Sequence, residues 1–316
     1  MTTPPAPHWW QEQHTALEEF VQEGDSGAEP FSAPLLDLLA EVERAFAVTG
    51  ADTPPWPDPH TGVDGTRRDA AEEEYSRCTD PGKYRILEAR AAAWTQVLTS
   101  HGWARVEEAA DGAALPWHVA PHTSLHSATV LRPHRPGAVP LVLQRTAPAD
   151  APGSTDLAPA DALLPGLVVG VGEEPVPLEA IPDCGCDACD SGSRDLLEQL
   201  DRLVVSVVDG SFEHIIDARG YRSRTSFGAE AGSGEGELPL RITAGPWADD
   251  WAPRTLCPPL EPDEDPLAAL RRRPWPRRLA EALAAALTGR RARPGRSVRY
   301  VALSEDEAAE ERPGDI

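Results

Sequence analysis

The chain has 316 residues, of which 41% are hydrophobic, enough to bury the core of one large domain or two of ordinary size. Its formal net charge of −23 repels phosphate backbones and sets nucleic acid low among the expected partners. The five cysteines are too few, in a chain of this length, for a secreted disulfide scaffold.

No run approaches the roughly 20 apolar residues that span a bilayer. The opening Met1 to Trp10 lacks the basic and apolar regions of a signal peptide. A cytoplasmic location with no membrane partner is therefore expected. Alanine and arginine are abundant while Lys83 is the single lysine, a bias that fits a high-GC bacterial genome rather than a mechanism. The 33 prolines and 25 glycines call for long irregular connections.

Taken in chain order, Leu17, Phe20 and Val21 suggest a short first helix that ends near Gly24 and Gly27. Ser32 is positioned to cap a second helix, in which Leu35, Leu38, Leu39, Val42 and Phe46 recur at three- and four-residue steps. Residues 50–65 are rich in Pro, Asp and Gly and read as a loop. The clearest helix follows: Asp80 as N-cap, Pro81 at the first position, then Tyr84, Leu87, Ala91, Trp94 and Leu98 on one face, with Gly102 as the stop.

Strands are expected at 103–107, 127–131, 138–144 and 167–171, the middle two forming a hairpin around Arg132 to Gly137. Residues 146–162 are rich in Ala, Pro and Asp and read as a loop. The segment Arg194 to Val208 keeps a helical period through Leu196, Leu197, Leu200, Leu203, Val204, Val207 and Val208, and a strand at 212–216 follows it. Beyond Gly228 the composition is loop-like, and Trp247 and Trp251 fall in a passage without a clear period. A helix from Pro276, a weak strand at 297–303 and an acidic tail complete the chain.

Helices mixed irregularly with hairpins predict an α+β fold, with a mixed or antiparallel sheet, packed helices and long Pro/Gly-rich loops. The expected division is a helical extension over 1–30, an α+β core over 31–225 and an irregular C-terminal extension over 226–316. That last part holds an arginine-rich stretch, with ten arginines and the single acid Glu281 between Arg271 and Arg299. Pairing with the protein's own acidic surface explains such a stripe more simply than an anion ligand does.

One passage carries distinctive chemistry: Pro182-Asp-Cys184-Gly-Cys186-Asp-Ala-Cys189-Asp-Ser-Gly192. Thiolates are soft ligands suited to zinc, and a Cys-x-x-Cys turn readily meets tetrahedral geometry. Gly185 gives the backbone the freedom that lets Cys184 join. Cys184, Cys186 and Cys189 are thus candidate metal ligands, with zinc as the ion. A fourth ligand is not evident, and Cys257, His214 and Asp187 are the candidates considered.

Three readings fit the cluster: a structural zinc clip, a set of reduced thiols without further role, and a redox pair such as Cys186 and Cys189. Catalytic zinc lacks the His-Glu pair that would activate water. His118, His122 and His126 recur at four-residue steps, but Pro121 within the stretch points to a loop. Gly170-x-Gly172 is too short for a dinucleotide fingerprint, and no P-loop, Gly-x-Ser-x-Gly or His-Glu-x-x-His is present. The expected function is a non-enzymatic binding or interaction protein with a protein or small-molecule partner. A thiol-disulfide protein, or a hydrolase with an unrecognised site, is the alternative.

Two passages together, Tyr75-Ser-Arg-Cys-Thr-Asp-Pro-Gly-Lys-Tyr84 leading to Ala93-Trp94 and the cysteine passage leading to Leu196-Leu-Glu-Gln-Leu-Asp201, resemble a family of high-GC bacteria defined by a domain of unknown function. The resemblance covers residues 30–225. It implies no reaction, substrate or cofactor.

Overall fold

A computed structural model describes residues 7–24, 28–62, 64–147, 164–232 and 238–260. The arginine-rich stretch, the helix expected from Pro276, the strand expected at 297–303 and the acidic tail lie outside the described residues, as does most of the segment 146–162.

Four α-helices are present among the described residues. The first, α1 (Trp9–Gln22), starts well before the apolar residues that suggested it, and its buried anchors are Trp9 and Trp10. The second, α2 (Ala33–Thr49), buries Leu35, Leu38, Leu39 and Val42 as its period requires. Ser32 occupies its N-cap position, but the side chain makes no capping hydrogen bond.

The third, α3 (Ile86–Ser100), buries Leu87, Ala91, Trp94 and Leu98 and stops at His101 and Gly102, the latter with φ +68°. Its expected start is corrected. Asp80 does stand at the N-cap position, but of a 3-10 turn and not of α3 itself; it adopts a left-handed conformation (φ 51°, ψ 65°) that a short polar residue tolerates, and its side chain makes no capping hydrogen bond. Pro81 instead opens a 3-10 turn, Pro81–Arg85, that runs directly into α3. The last helix is α4 (Ser193–Val208), so the Leu203 to Val208 run is helical and not a strand.

The strands form two antiparallel sheets. Sheet one is the meander β1 (Ala104–Ala109), β2 (Ala128–Pro133), β3 (Leu141–Arg145), β4 (Leu167–Val171) and β5 (Val176–Ile181), in that spatial order. The expected hairpin is present, with Leu131 opposite Leu141 and Ala128 opposite Gln144. Period-two alternation divides its side chains between two faces. Leu131, Leu141, Leu143, Val169 and Ile181 enter the main core with the helices. Ala128, Val130 and Val142 face a smaller cluster beneath Leu115 and Trp117. A Cβ at Gly170 would come within 2.8 Å of the Trp117 ring, so glycine there lets the indole approach the sheet closely.

Sheet two contains β6 (Phe212–Asp217), β7 (Gly220–Thr225), β8 (Ala229–Gly232) and β9 (Leu240–Thr243), in the order β8-β7-β6-β9. The expectation of loop beyond Gly228 is corrected by β8 and β9. The passage after β9 also enters the core: Trp247 and Trp251 are buried in the main cluster, and the Trp247 amide donates to the carbonyl of Val208 at 2.8 Å.

A buried charge joins the helices. The Asp201 carboxylate of α4 accepts from the indoles of Trp9 at 2.9 Å and Trp94 at 2.7 Å, and from Arg90 at 2.7 and 2.8 Å. Arg90 in turn makes a two-point pair with Glu43 of α2. The chain is therefore α+β, with helices packed against antiparallel sheets.

Candidate metal centre

The cysteine loop connects β5 to α4. Its backbone is shaped by a 3-10 turn, Asp187–Cys189, and by Gly192, whose φ of +84° favours glycine. A Cβ on Gly192 would also meet the amide nitrogen of Asp58 at 2.6 Å, so the loop packs directly on the backbone of the Pro-rich 53–60 segment. Gly185 faces the Leu164 side chain, which a Cβ would meet at 2.3 Å.

Within this loop the sulfurs of Cys184, Cys186 and Cys189 all lie within 4.8 Å of one another, and those of Cys184 and Cys186 are 3.3 Å apart. The Cys186 amide points at Cys184 Sγ from 3.5 Å. No disulfide joins any of the five cysteines. A hydrogen bond from the Cys189 thiol draws Cys184 down to about 6. That same bond pushes Cys189 well above the usual thiol range, and burial raises Cys186. The three thiols thus compete for protons within one cluster, and a bound cation would favour the thiolate form of each.

Two carboxylates fasten the loop to the rest of the protein. Asp187 accepts from Arg77 Nε at 2.6 Å, from the Thr79 amide at 2.7 Å and from Thr79 Oγ1 at 2.8 Å. Its own amide donates to the Arg77 carbonyl at 2.7 Å. Asp190, buried, accepts from Lys83 Nζ at 2.6 Å and from the Trp56 indole at 2.9 Å. It also accepts from the Gly192 amide at the entry to α4. The ammonium of Lys83 sits over the rings of Trp56 and Tyr84. The loop, the 53–60 segment and the 75–84 passage therefore meet at one place.

The candidate fourth ligands do not gather there. Asp187 is adjacent, but its carboxylate is taken up by Arg77 and Thr79. Cys257 packs with Ala229, Ala231 and Leu260 beside sheet two. His214 lies on β6 and pairs with Ser223 Oγ at 2.6 Å. His118, His122 and His126 are outside any helix. Among the described residues the three thiols are the only group of three or more His, Cys, Asp or Glu side chains placed to share a metal.

Cys78 was overlooked by spacing, because more than a hundred residues separate it from the loop. It is 1% exposed and stands between Arg77 and Thr79, the two residues that grip Asp187. Burial pushes its thiol up to about 11, with smaller contributions from the charges of Asp187, Cys184 and Cys186. The usable sequence signal was that both passages singled out by resemblance contain cysteine.

No helix among the described residues is long and apolar enough to cross a membrane. No curated protein and no solved structure matches the chain. A family model described as a family of unknown function, DUF6226, matches residues 42–279, reaching further toward the C-terminus than the resemblance did. The chain belongs to that family.

Proposed function

We propose that this protein is a non-enzymatic binding protein whose cysteine loop is a structural metal clip, with zinc as the ion. The observation that carries the reading is the convergence of three sulfurs within 4.8 Å, without a disulfide, in a loop held from outside by Asp187 and Asp190. Three such donors suit a soft ion. The carboxylates of Asp187 and Asp190 beside them are engaged with Arg77, Thr79, Lys83 and Trp56, which suits a structural role better than the activation of water. The ion would fix the loop that delivers the chain from β5 into α4. The partner would be a protein or small molecule, since the net charge of −23 disfavours nucleic acid.

The test is metal per chain, by elemental analysis of protein purified without added metal or chelator. About one zinc per chain, lost in Cys186→Ser, supports the clip. A metal-free chain with three freely titrating thiols, and a reversible disulfide among them, would replace it with a redox reading.

A further inference from the structure

We propose that Cys78 is the fourth donor, completing a four-sulfur site that joins the 75–84 passage to the cysteine loop. This rests on the metal reading above and adds the residue that closes the site. Structural zinc takes four ligands in a tetrahedron, and three donors from one short loop leave one side open. One side of the loop is met by residues 77–79, held by the carboxylate and amide of Asp187, which lies between Cys186 and Cys189.

Cys78 is the middle residue of that held segment, fully buried and in no disulfide. Its sulfur is within electrostatic reach of Cys184 and Cys186, though outside the group of three that lie within 4.8 Å of one another. The fifth cysteine, Cys257, is in a separate cluster beside sheet two.

His60 is the competing donor. It is buried, and its Nδ1 has no hydrogen-bond partner. Its Nε2 is engaged with the Asp187 carbonyl at 2.9 Å, an arrangement that a ligating histidine also uses, so the choice rests on softness: a fourth thiolate matches the other three donors. Cys78 is the better match.

Each thiol releases its proton to solvent as it takes the metal, so four sulfur charges face the two of a divalent ion. Lys83 and Arg77 are already paired with Asp190 and Asp187, so the site keeps a net negative charge, and the Cys186 amide directed at Cys184 is the dipole that faces it.

The experiment is X-ray absorption at the zinc edge on the full chain loaded with one equivalent of zinc, for wild type, Cys78→Ser, Cys257→Ser and His60→Gln. Four sulfurs at about 2.3 Å are expected in wild type, Cys257→Ser and His60→Gln. Three sulfurs and one lighter atom are expected in Cys78→Ser, with zinc affinity lowered at least about tenfold. Should Cys78→Ser fail to fold, the wild-type and Cys257→Ser spectra still decide, because only Cys78 remains to supply a fourth sulfur. Three sulfurs in wild type, with a nitrogen lost in His60→Gln, would overturn the Cys78 assignment and leave the clip intact. Loss of a sulfur in Cys257→Ser would do the same. A chain that binds no zinc would overturn both.

Discussion

The guanidinium of Arg90 meets the carboxylate of Asp201 at 2.7 and 2.8 Å in a site where neither side chain is more than 1% exposed. The same carboxylate receives both the Trp9 and the Trp94 indole N–H, so one anion ties α1, α3 and α4 together. A buried charge with four donors is held by its partners, and removing it leaves those donors unsatisfied. Asp201→Ala is expected to lower unfolding stability by about 3–5 kcal/mol, read by chemical denaturation. Glu43→Gln should cost much less, because Glu43 is partly exposed and Arg90 keeps Asp201. Equal losses in the two variants would refute the central place given to Asp201.

A pH dependence follows from His214. Burial, with a smaller contribution from the charge of His118, lowers its ionisation to about 4. A histidine that resists protonation when folded stabilises the protein above its unfolded value, near 6.5, and that contribution is lost as pH falls toward 4. Stability should therefore decline over this window by at most about 3 kcal/mol. His214→Gln should flatten that part of the curve, measured as denaturation midpoint against pH. An unchanged slope in the variant would assign the effect to other groups.

Gly192 offers a test of loop geometry. Its φ of +84° and ψ of 162° lie in a region almost exclusive to glycine, and a Cβ would press on the Asp58 backbone. Gly192→Ala is expected to cost about 2–3 kcal/mol by denaturation and to weaken zinc retention, since the residue links the cysteine loop to α4. Gly102→Ala, where φ is also positive but a Cβ would meet open space, should cost about 1 kcal/mol. Similar losses at both sites would show that packing on Asp58 contributes little.

Metal removal should read directly as stability. If zinc binds the native loop and not the unfolded chain, chelation lowers the thermal midpoint by several degrees, roughly 5–10 °C. Cys186→Ser should show a similar midpoint with or without chelator. A wild-type midpoint indifferent to chelator would argue against a clip.

Much of the architecture was legible because apolar period carries it. The stripe of α3 and the Leu131–Leu141 hairpin are apolar patterns that tertiary packing simply completes. β7 was hidden because its outward residues are arginines, with Arg222 paired to Asp217 and Arg224 to Glu213, so ion pairs stand where alternation was sought. β5 carries Pro177 beside a register shift in its pairing with β4, at the sheet edge that tolerates proline. Asp80 does precede a helical start, but a 3-10 turn comes before α3 and Asp80 takes a left-handed conformation, which composition does not reveal. In the candidate site, the three clustered thiols were legible from local spacing. Cys78, and the grip of Arg77 and Thr79 on Asp187, were not, since those contacts depend on how distant segments meet.

The Asp187 junction has a topological consequence. Its partners Thr79 and Arg77 lie 108 and 110 residues earlier, and α3 together with every strand of sheet one falls between. The junction is therefore the neck of a closed ring whose body is that helix and the whole meander. Closing a ring of this size costs an unfolded chain about 4 kcal/mol in entropy. The first and last strands lie at opposite edges of the sheet, so the neck links two chain ends that strand pairing alone leaves apart.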